Sequence, residues 1–308
     1  MPHSHSNGHE HGKDLSDIRL VIAVAVNVGL TLAQIIGGIV SGSLSLIADA
    51  LHNLNDAASL GIALFARRIA RKPANKHMTF GYSRAEVIAA LINLVTLIIV
   101  GLYLVYEAAF RYFEPQPIQG WIVVIVAGIA LAVDIVTALL TYAMSKESLN
   151  VKAAFLHNVS DALASVGVIV AGTLIILYEF YIVDLIVTLA IAGYVLYQGF
   201  STIGRTIGIL MGATPEDCDV DAVAAAITGV DGVLGVHHVH VWELNEYDRA
   251  LEAHVVTGAA DLQHIESIKA EIKNHLSAEF RITHSTLEFE TENAAASGDD
   301  HAAMVPRH

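Results

Sequence analysis

The chain has 308 residues, 54% of them hydrophobic and 16% charged, with a formal net charge of −14. That balance is too apolar for a soluble domain of this length and points to a membrane protein. A single cysteine, Cys218, excludes an intrachain disulfide and a cysteine-based zinc site, whereas sixteen histidines make imidazole the unusual side chain.

Residues 1–16 hold His3, His5, His9 and His11 among Ser, Gly and Asn. Such a composition cannot build a core and predicts a disordered tail, compatible with a metal-loading arm and equally with a solvated segment. Six apolar runs follow at 20–40, 44–66, 85–106, 121–143, 153–177 and 182–203. Each can cross a bilayer, which takes about 20 residues. The first is full length, follows a polar stretch and lacks a small-residue cleavage pattern, so it is expected to stay in the membrane and not to be removed as a signal.

The charges between the runs set the orientation. Lys13, Arg19, Arg67, Arg68, Arg71, Lys72, Lys76, Arg84, Lys146, Lys152 and Arg205 fall on one side, and Arg111 alone on the other. By the positive-inside rule this predicts six spans with both termini in the cytoplasm, in an inner or plasma membrane. Residues 17–212 are therefore expected to be the transmembrane domain.

After Gly212 and Pro215 the pattern changes to short elements with turns between them. A helix is predicted at 219–228, strands at 234–244 and 250–257 around the turn at Asn245–Asp248, an amphipathic helix at 261–280, and a strand at 281–290. The order αββαβ implies a small α+β domain over 213–290, with a disordered tail over 291–308. Residues 1–212 carry 12 basic and 13 acidic groups and residues 213–308 carry 5 and 18, so the excess negative charge sits in the soluble part. Nucleic acid and anionic lipid are poor partners for such a domain.

The second and fifth runs echo one another: Leu51-His52-Asn53-Leu54-Asn55-Asp56-Ala57 and Leu156-His157-Asn158-Val159-Ser160-Asp161-Ala162. His and Asp at i and i+4 share one helix face. Runs two and five cross in opposite directions, and at ~1.5 Å per residue Asp56 and Asp161 lie about 15 and 14 Å from their cytoplasmic ends. The four groups are thus expected to meet near mid-membrane. Ionisable groups there need compensation, and a divalent cation supplies it. Two imidazoles and two carboxylates suit zinc, with cobalt, nickel and iron also possible and the all-oxygen preferences of calcium and magnesium unmet. The competing reading for one such pair is an interhelical hydrogen bond, and the matched second pair argues against it. Asp49 shares the face of His52 and Asp56, as an orienter of the imidazole, a step in the cation path or a packing partner. Asn27, Asn93 and Asp134 are expected to line the pore or pack.

The soluble domain holds a second cluster, His237, His238, His240, His254, His264 and His284 with Glu288 and Glu290. His237, His240, His254, His284 and Glu290 are its candidate metal ligands.

These motifs resemble the cation diffusion facilitator family over about residues 18–290: Ser43 to His52 followed by Asp56, Phe80-Gly81-Tyr82-Ser83-Arg84-Ala85-Glu86, His157 with Asp161, Val236-His237-His238-Val239-His240-Val241-Trp242, Ala253-His254-Val255 and His284-Ser285-Thr286. The resemblance implies a homodimeric zinc exporter exchanging cytosolic divalent metal for protons, with a metallochaperone-like C-terminal domain. It also implies that His52, where some members have Asp, favours zinc over cadmium. Members that hold a second metal between spans two and three have ligands where this chain has Asn75 and Tyr82, and the acid often found after span six is Gly212 here. Neither that second site nor an interprotomer charge lock at Arg84 is therefore carried over. Three other classes compete. An intramembrane metalloprotease would need a His-Glu-x-x-His helix, which is absent, and an open metal position. A membrane metal sensor would bind without flux, and a passive channel would conduct without proton exchange.

Overall fold

The computed structural model describes residues 28–144, 149–245, 248–259, 261–292 and 304–305. The His-rich segment 1–16 and Asn27 lie outside them. Among the described residues the membrane part is built of helices: α1 (Val28–Ser41), α2 (Leu44–Ala70), α3 (Arg84–Phe113), α4 (Gly120–Met144), α5 (Leu149–Tyr178) and α6 (Ile182–Met211). The soluble part follows the predicted order, with α7 (Val220–Thr228), β1 (Val233–Glu243), β2 (Arg249–Thr257), α8 (Leu262–Phe280) and β3 (Ile282–Glu290). The protein is a polytopic helical membrane protein with a C-terminal α+β domain.

Among the described residues, α3, α4, α5 and α6 are long and apolar enough to cross a membrane. The other two expected spans correspond to α1, whose described part begins at Val28, and to α2, which is interrupted by Asp49, His52, Asn53, Asn55 and Asp56. The outward faces are as apolar as the inward ones. On α4, Trp121, Ile125 and Ile129 are exposed while Val123, Ala127 and Ala130 are buried. A helix apolar on both sides suits lipid, where every backbone group must be bonded within the helix.

The chain divides into two compact units, Met1–Ile62 with Asn93–Ser201 and Ala63–Ile92 with Thr202–His308. In the first, a core of Leu44, Leu46, Ala48, Leu97, Leu104, Val123, Val168, Ile191 and Val195 joins the helices. The turn from α1 to α2 passes through Gly42 at φ 75°, where a Cβ would lie 2.8 Å from the Pro117 carbonyl. Arg111 is tied to the same turn, donating to the Gly42 carbonyl at 2.6 Å and to Glu107 at 2.9 Å. The start of α2 is capped from α6: Asp184, fully buried, accepts from Ser43 Oγ and Ser45 Oγ at 2.6 Å each and from the Leu44 N–H at 2.7 Å. A carboxylate there satisfies orphan donors and meets the positive end of the helix dipole.

In the second unit the three strands lie in the order β1-β2-β3, β1 antiparallel and β3 parallel to β2. The parallel pair needs a crossover, and α8 provides it. Asp219 and Asp261 cap α7 and α8 by accepting from the Asp221 and His264 N–H groups. Val239 and Val241 of β1 and Leu251, Ala253 and Val255 of β2 pack against Val223, Ile227, Ile268, Ile272 and Leu276, which places the core between sheet and helices. In the connection between α2 and α3, Asn75 Nδ2 donates to the Tyr82 hydroxyl at 2.8 Å.

Of the segment 291–308, expected to be a disordered tail, only 291, 292, 304 and 305 are among the described residues, and there the Val239 N–H donates to the Met304 carbonyl at 2.7 Å. β1 is an edge strand with a bulge at this point, and an edge N–H accepts any extended segment that reaches it.

Candidate metal centre

Each half of the transmembrane site comes from one helix turn. Neither α2 nor α5 contains proline, so the helical spacing of His52 with Asp56 and of His157 with Asp161 is uninterrupted. The cross pairs are those that antiparallel helices give. His52 Nε2 lies 3.5 Å from Asp161 Oδ1, and His157 Nε2 lies 3.3 Å from Asp56 Oδ2. The within-helix separations, His52 Nε2 to Asp56 Oδ2 and His157 Nε2 to Asp161 Oδ2, are both 3.5 Å.

These distances carry chemical information. Hydrogen bonds between such atoms run at about 2.7–3.2 Å. A tetrahedral zinc ion with bonds of about 2.0–2.2 Å holds its ligand atoms about 3.3–3.6 Å apart. The four groups therefore have the spacing of ligands around one ion, and all lie within 4.8 Å of one another. Asp56 Oδ2 and Asp161 Oδ1 are buried without a hydrogen-bond partner. Two carboxylates and two neutral imidazoles also cancel the charge of a divalent cation, the neutral sum that a low-dielectric site requires.

The site is asymmetric in access. His52 and Asp161 side chains are 6% and 10% exposed, whereas Asp56 and His157 are 33% and 40% exposed. A cavity of about 370 Å³ adjoins the buried half, lined by His52, Asp161, Gly167, Val187, Ile191 and Tyr194 among others. Tyr194 meets the His52 ring edge to face, with centroids 6.3 Å apart.

Sequence reasoning overlooked several neighbours. Gln34 in α1, fully buried, donates to Asp49 Oδ2 at 2.6 Å and accepts from Asn53 Nδ2 at 3.1 Å. A glutamine inside an apolar run was itself a signal. Asp184, a carboxylate inside the sixth apolar run, was a signal of the same kind, whereas Tyr194 gave none. Asp134 accepts from Ser165 at 3.1 Å, and Asn93 accepts from Ser59, as expected of packing residues.

In the soluble domain the structure gathers a smaller set than the sequence suggested. His237, His254 and Glu290 lie within 4.8 Å of one another, with Glu290 3.2 Å from His237 Nε2 and 2.8 Å from His254 Nδ1. The bulge at His238, with φ 54°, turns both His237 and His240 to one face, since they pair with His254 and Glu252. His240 nevertheless stays outside that group, two residues along the strand, next to His238 with centroids 4.9 Å apart. His284 is farther, paired with Ala250 while His254 pairs with Glu288. Four residues of strand separate them by roughly 13 Å. His264 sits in the first turn of α8, at its N-cap contact.

Nearby ionisable groups hold the domain together. Asp217 accepts from Arg249 and, at 2.8 Å, from Arg281, and the Arg249 guanidinium beside it holds its carboxyl below the usual range. Burial pushes Glu243 and the Cys218 thiol upward.

Comparison with known proteins agrees with this division. The cation efflux transmembrane domain family matches residues 20–211, and the cation efflux cytoplasmic domain family matches 215–292. The chain is 35% identical over 288 residues, 92% of its length and 92% of the relative's, to the cadmium, cobalt and zinc/H(+)-K(+) antiporter of Bacillus subtilis. It is 33% identical over 307 residues, 99% of its length and 92% of the relative's, to the zinc transporter ZitB of Pectobacterium atrosepticum. A solved structure, the metal-bound C-terminal domain of the CzcD transporter from Cupriavidus metallidurans, is 34% identical over 24% of this chain and 99% of that one, with a TM-score of 0.22. With both domain families matched in order and relatives aligned over nine-tenths of their length, the chain belongs to the cation efflux, or cation diffusion facilitator, family of membrane metal-cation transporters.

Proposed function

We propose that this protein exports zinc from the cytoplasm in exchange for protons, and that His52, Asp56, His157 and Asp161 hold the ion in transit. The observation that carries this reading is the spacing of four unlike groups at 3.3–3.5 Å, in pairs from two helices, with orphaned carboxylate oxygens turned inward. Four protein ligands suit passage of an ion better than hydrolysis, which needs an open coordination position. The relatives, a cadmium, cobalt and zinc/H(+)-K(+) antiporter and a zinc transporter, support both the metal and the counter-ion.

The transport step follows from the ligands. An imidazole binds metal only when neutral, so zinc arriving from the cytoplasm displaces protons from His52 and His157, and protons arriving from outside help to release it. Asp56 and Asp161 supply the balancing charge. Asp56 and His157, the more exposed pair, are the nearer to the cytoplasmic ends of their helices, so the site would receive zinc from that side before α2 and α5 shift. The fold is read as six spans with cytoplasmic termini, over domains 1–16, 17–212, 213–290 and 291–308, acting as a homodimer in an inner or plasma membrane. Zinc at His237, His254 and Glu290 would bias the C-terminal domains toward closer approach.

Proteoliposomes test this directly. With an inward proton gradient, zinc should move against the proton flow and dissipate the gradient, and Asp161→Asn should lower the flux by at least about tenfold. Zinc flux indifferent to the gradient would leave a passive channel. Binding without flux would leave a sensor.

A further inference from the structure

We infer that Gln34, Asn53 and Asp49 form a positioning chain for His52, which presents Asp49 Oδ1 to His52 Nδ1 and so fixes Nε2 as the nitrogen that meets the metal. The inference rests on the quartet being the transport site.

The orientation of the chain is set by chemistry. Gln34 turns its amide nitrogen, which can only donate, to Asp49 Oδ2 at 2.6 Å. The Gln34 carbonyl is then left facing α2, where Asn53 Nδ2 donates to it at 3.1 Å. Gln34, Asp49 and Asn53 are 0%, 1% and 8% exposed, so water does not compete for these bonds. Together they tie α1 to the turn of α2 that carries His52.

The ends of the chain are incomplete, and they are complementary. Among the described residues, four buried side-chain atoms lack a hydrogen-bond partner: Asp49 Oδ1, His52 Nδ1, Asp56 Oδ2 and Asp161 Oδ1. The last two belong to the ligand set. The first two are an acceptor and a ring nitrogen at i and i+3 on one helix face. His52 Nε2 points into the quartet, 3.5 Å from both Asp56 Oδ2 and Asp161 Oδ1, so Nδ1 carries the proton when Nε2 binds a cation. A metal-ligating histidine needs an acceptor for that proton, and loss of such an acceptor typically weakens binding about 10–100-fold. Asp49 Oδ1 is the unpartnered buried acceptor one helix turn from it, placed to take that proton.

Zinc affinity of the purified full-length protein, measured by chelator competition, tests the inference, with the component abolished by Asp161→Asn taken as the quartet's. Asp49→Leu should weaken that component about 10–100-fold, while Asp49→Asn, whose single amide oxygen can still accept from His52 Nδ1 once the Gln34 amide turns its oxygen to the new NH2, should recover part of it. Gln34→Leu, which leaves the ligands and Asp49 in place, should weaken it by a smaller factor with the melting temperature retained. A merely structural role would lower melting temperature in parallel with affinity and would show no rescue by Asn. Wild-type zinc affinity in folded Asp49→Leu or in Gln34→Leu overturns the positioning chain. If Asp161→Asn abolishes nothing, the quartet reading falls first and the inference falls with it.

Discussion

At the residue scale, the two candidate metal groups differ in how their residues are brought together. In the membrane, His and Asp of each pair are neighbours by helix geometry, and only one packing event is needed to join the pairs. In the soluble domain, His237, His254 and Glu290 come from three strands, so strand register decides who belongs. His254→Ala should therefore lower the zinc bound per chain in equilibrium dialysis, whereas His284→Ala should leave it unchanged. Equal losses from the two variants would mean that the domain's zinc sits elsewhere. The sequence showed the density of histidine and acid but not the register, and so it included His240 and His284 along with the three that converge.

At the element scale, α2 carries His52 and Asp56 of the candidate site, Asp49 and Asn53 bonded to Gln34, and the cap at its first turn. Asp184 of α6 holds Ser43, Leu44 and Ser45, and hydrogen bonds to a charged group contribute about 1.5–3 kcal/mol each when an alternative partner is absent. Asp184→Ala would leave the Leu44 N–H buried and unpaired and the Ser43 and Ser45 hydroxyls with only each other. The detergent-solubilised variant should melt at least about 5 °C lower, with Asp184→Asn between it and the wild type. An unchanged melting temperature would show that α2 does not depend on this cap. The helices themselves were legible as apolar runs, and their ends were not: α3 continues to Phe113 and α6 to Met211, past the apolar stretches at 85–106 and 182–203. Hydrogen bonding carries a helix beyond the residues that need lipid, and only a proline or a turn stops it.

At the scale of the whole molecule, the negative charge is concentrated in the soluble part, and Asp217 is an anchor within it. Arg249 from β2 and Arg281 from the C-cap of α8 both reach it. Because the folded-state pKa of Asp217 is depressed, its contribution is present above the ordinary value of 3.8 and is lost as pH falls through the lower folded value. Asp217→Asn should thus lower denaturant resistance at neutral pH and converge with the wild type in acid; an equal difference at both pH values would deny the ion pairs their role. The sequence by itself determined the membrane class, the order αββαβ and the pairing of His with Asp on one face of α2 and of α5, because these depend on local apolarity and on fixed helical spacing, and its motifs pointed to the family. Only the tertiary structure decided which soluble-domain ligands converge, that Asp184 caps α2, and that Gln34 reaches Asp49. Each of those contacts joins segments whose sequence separation carries no periodic signal, so packing alone sets them.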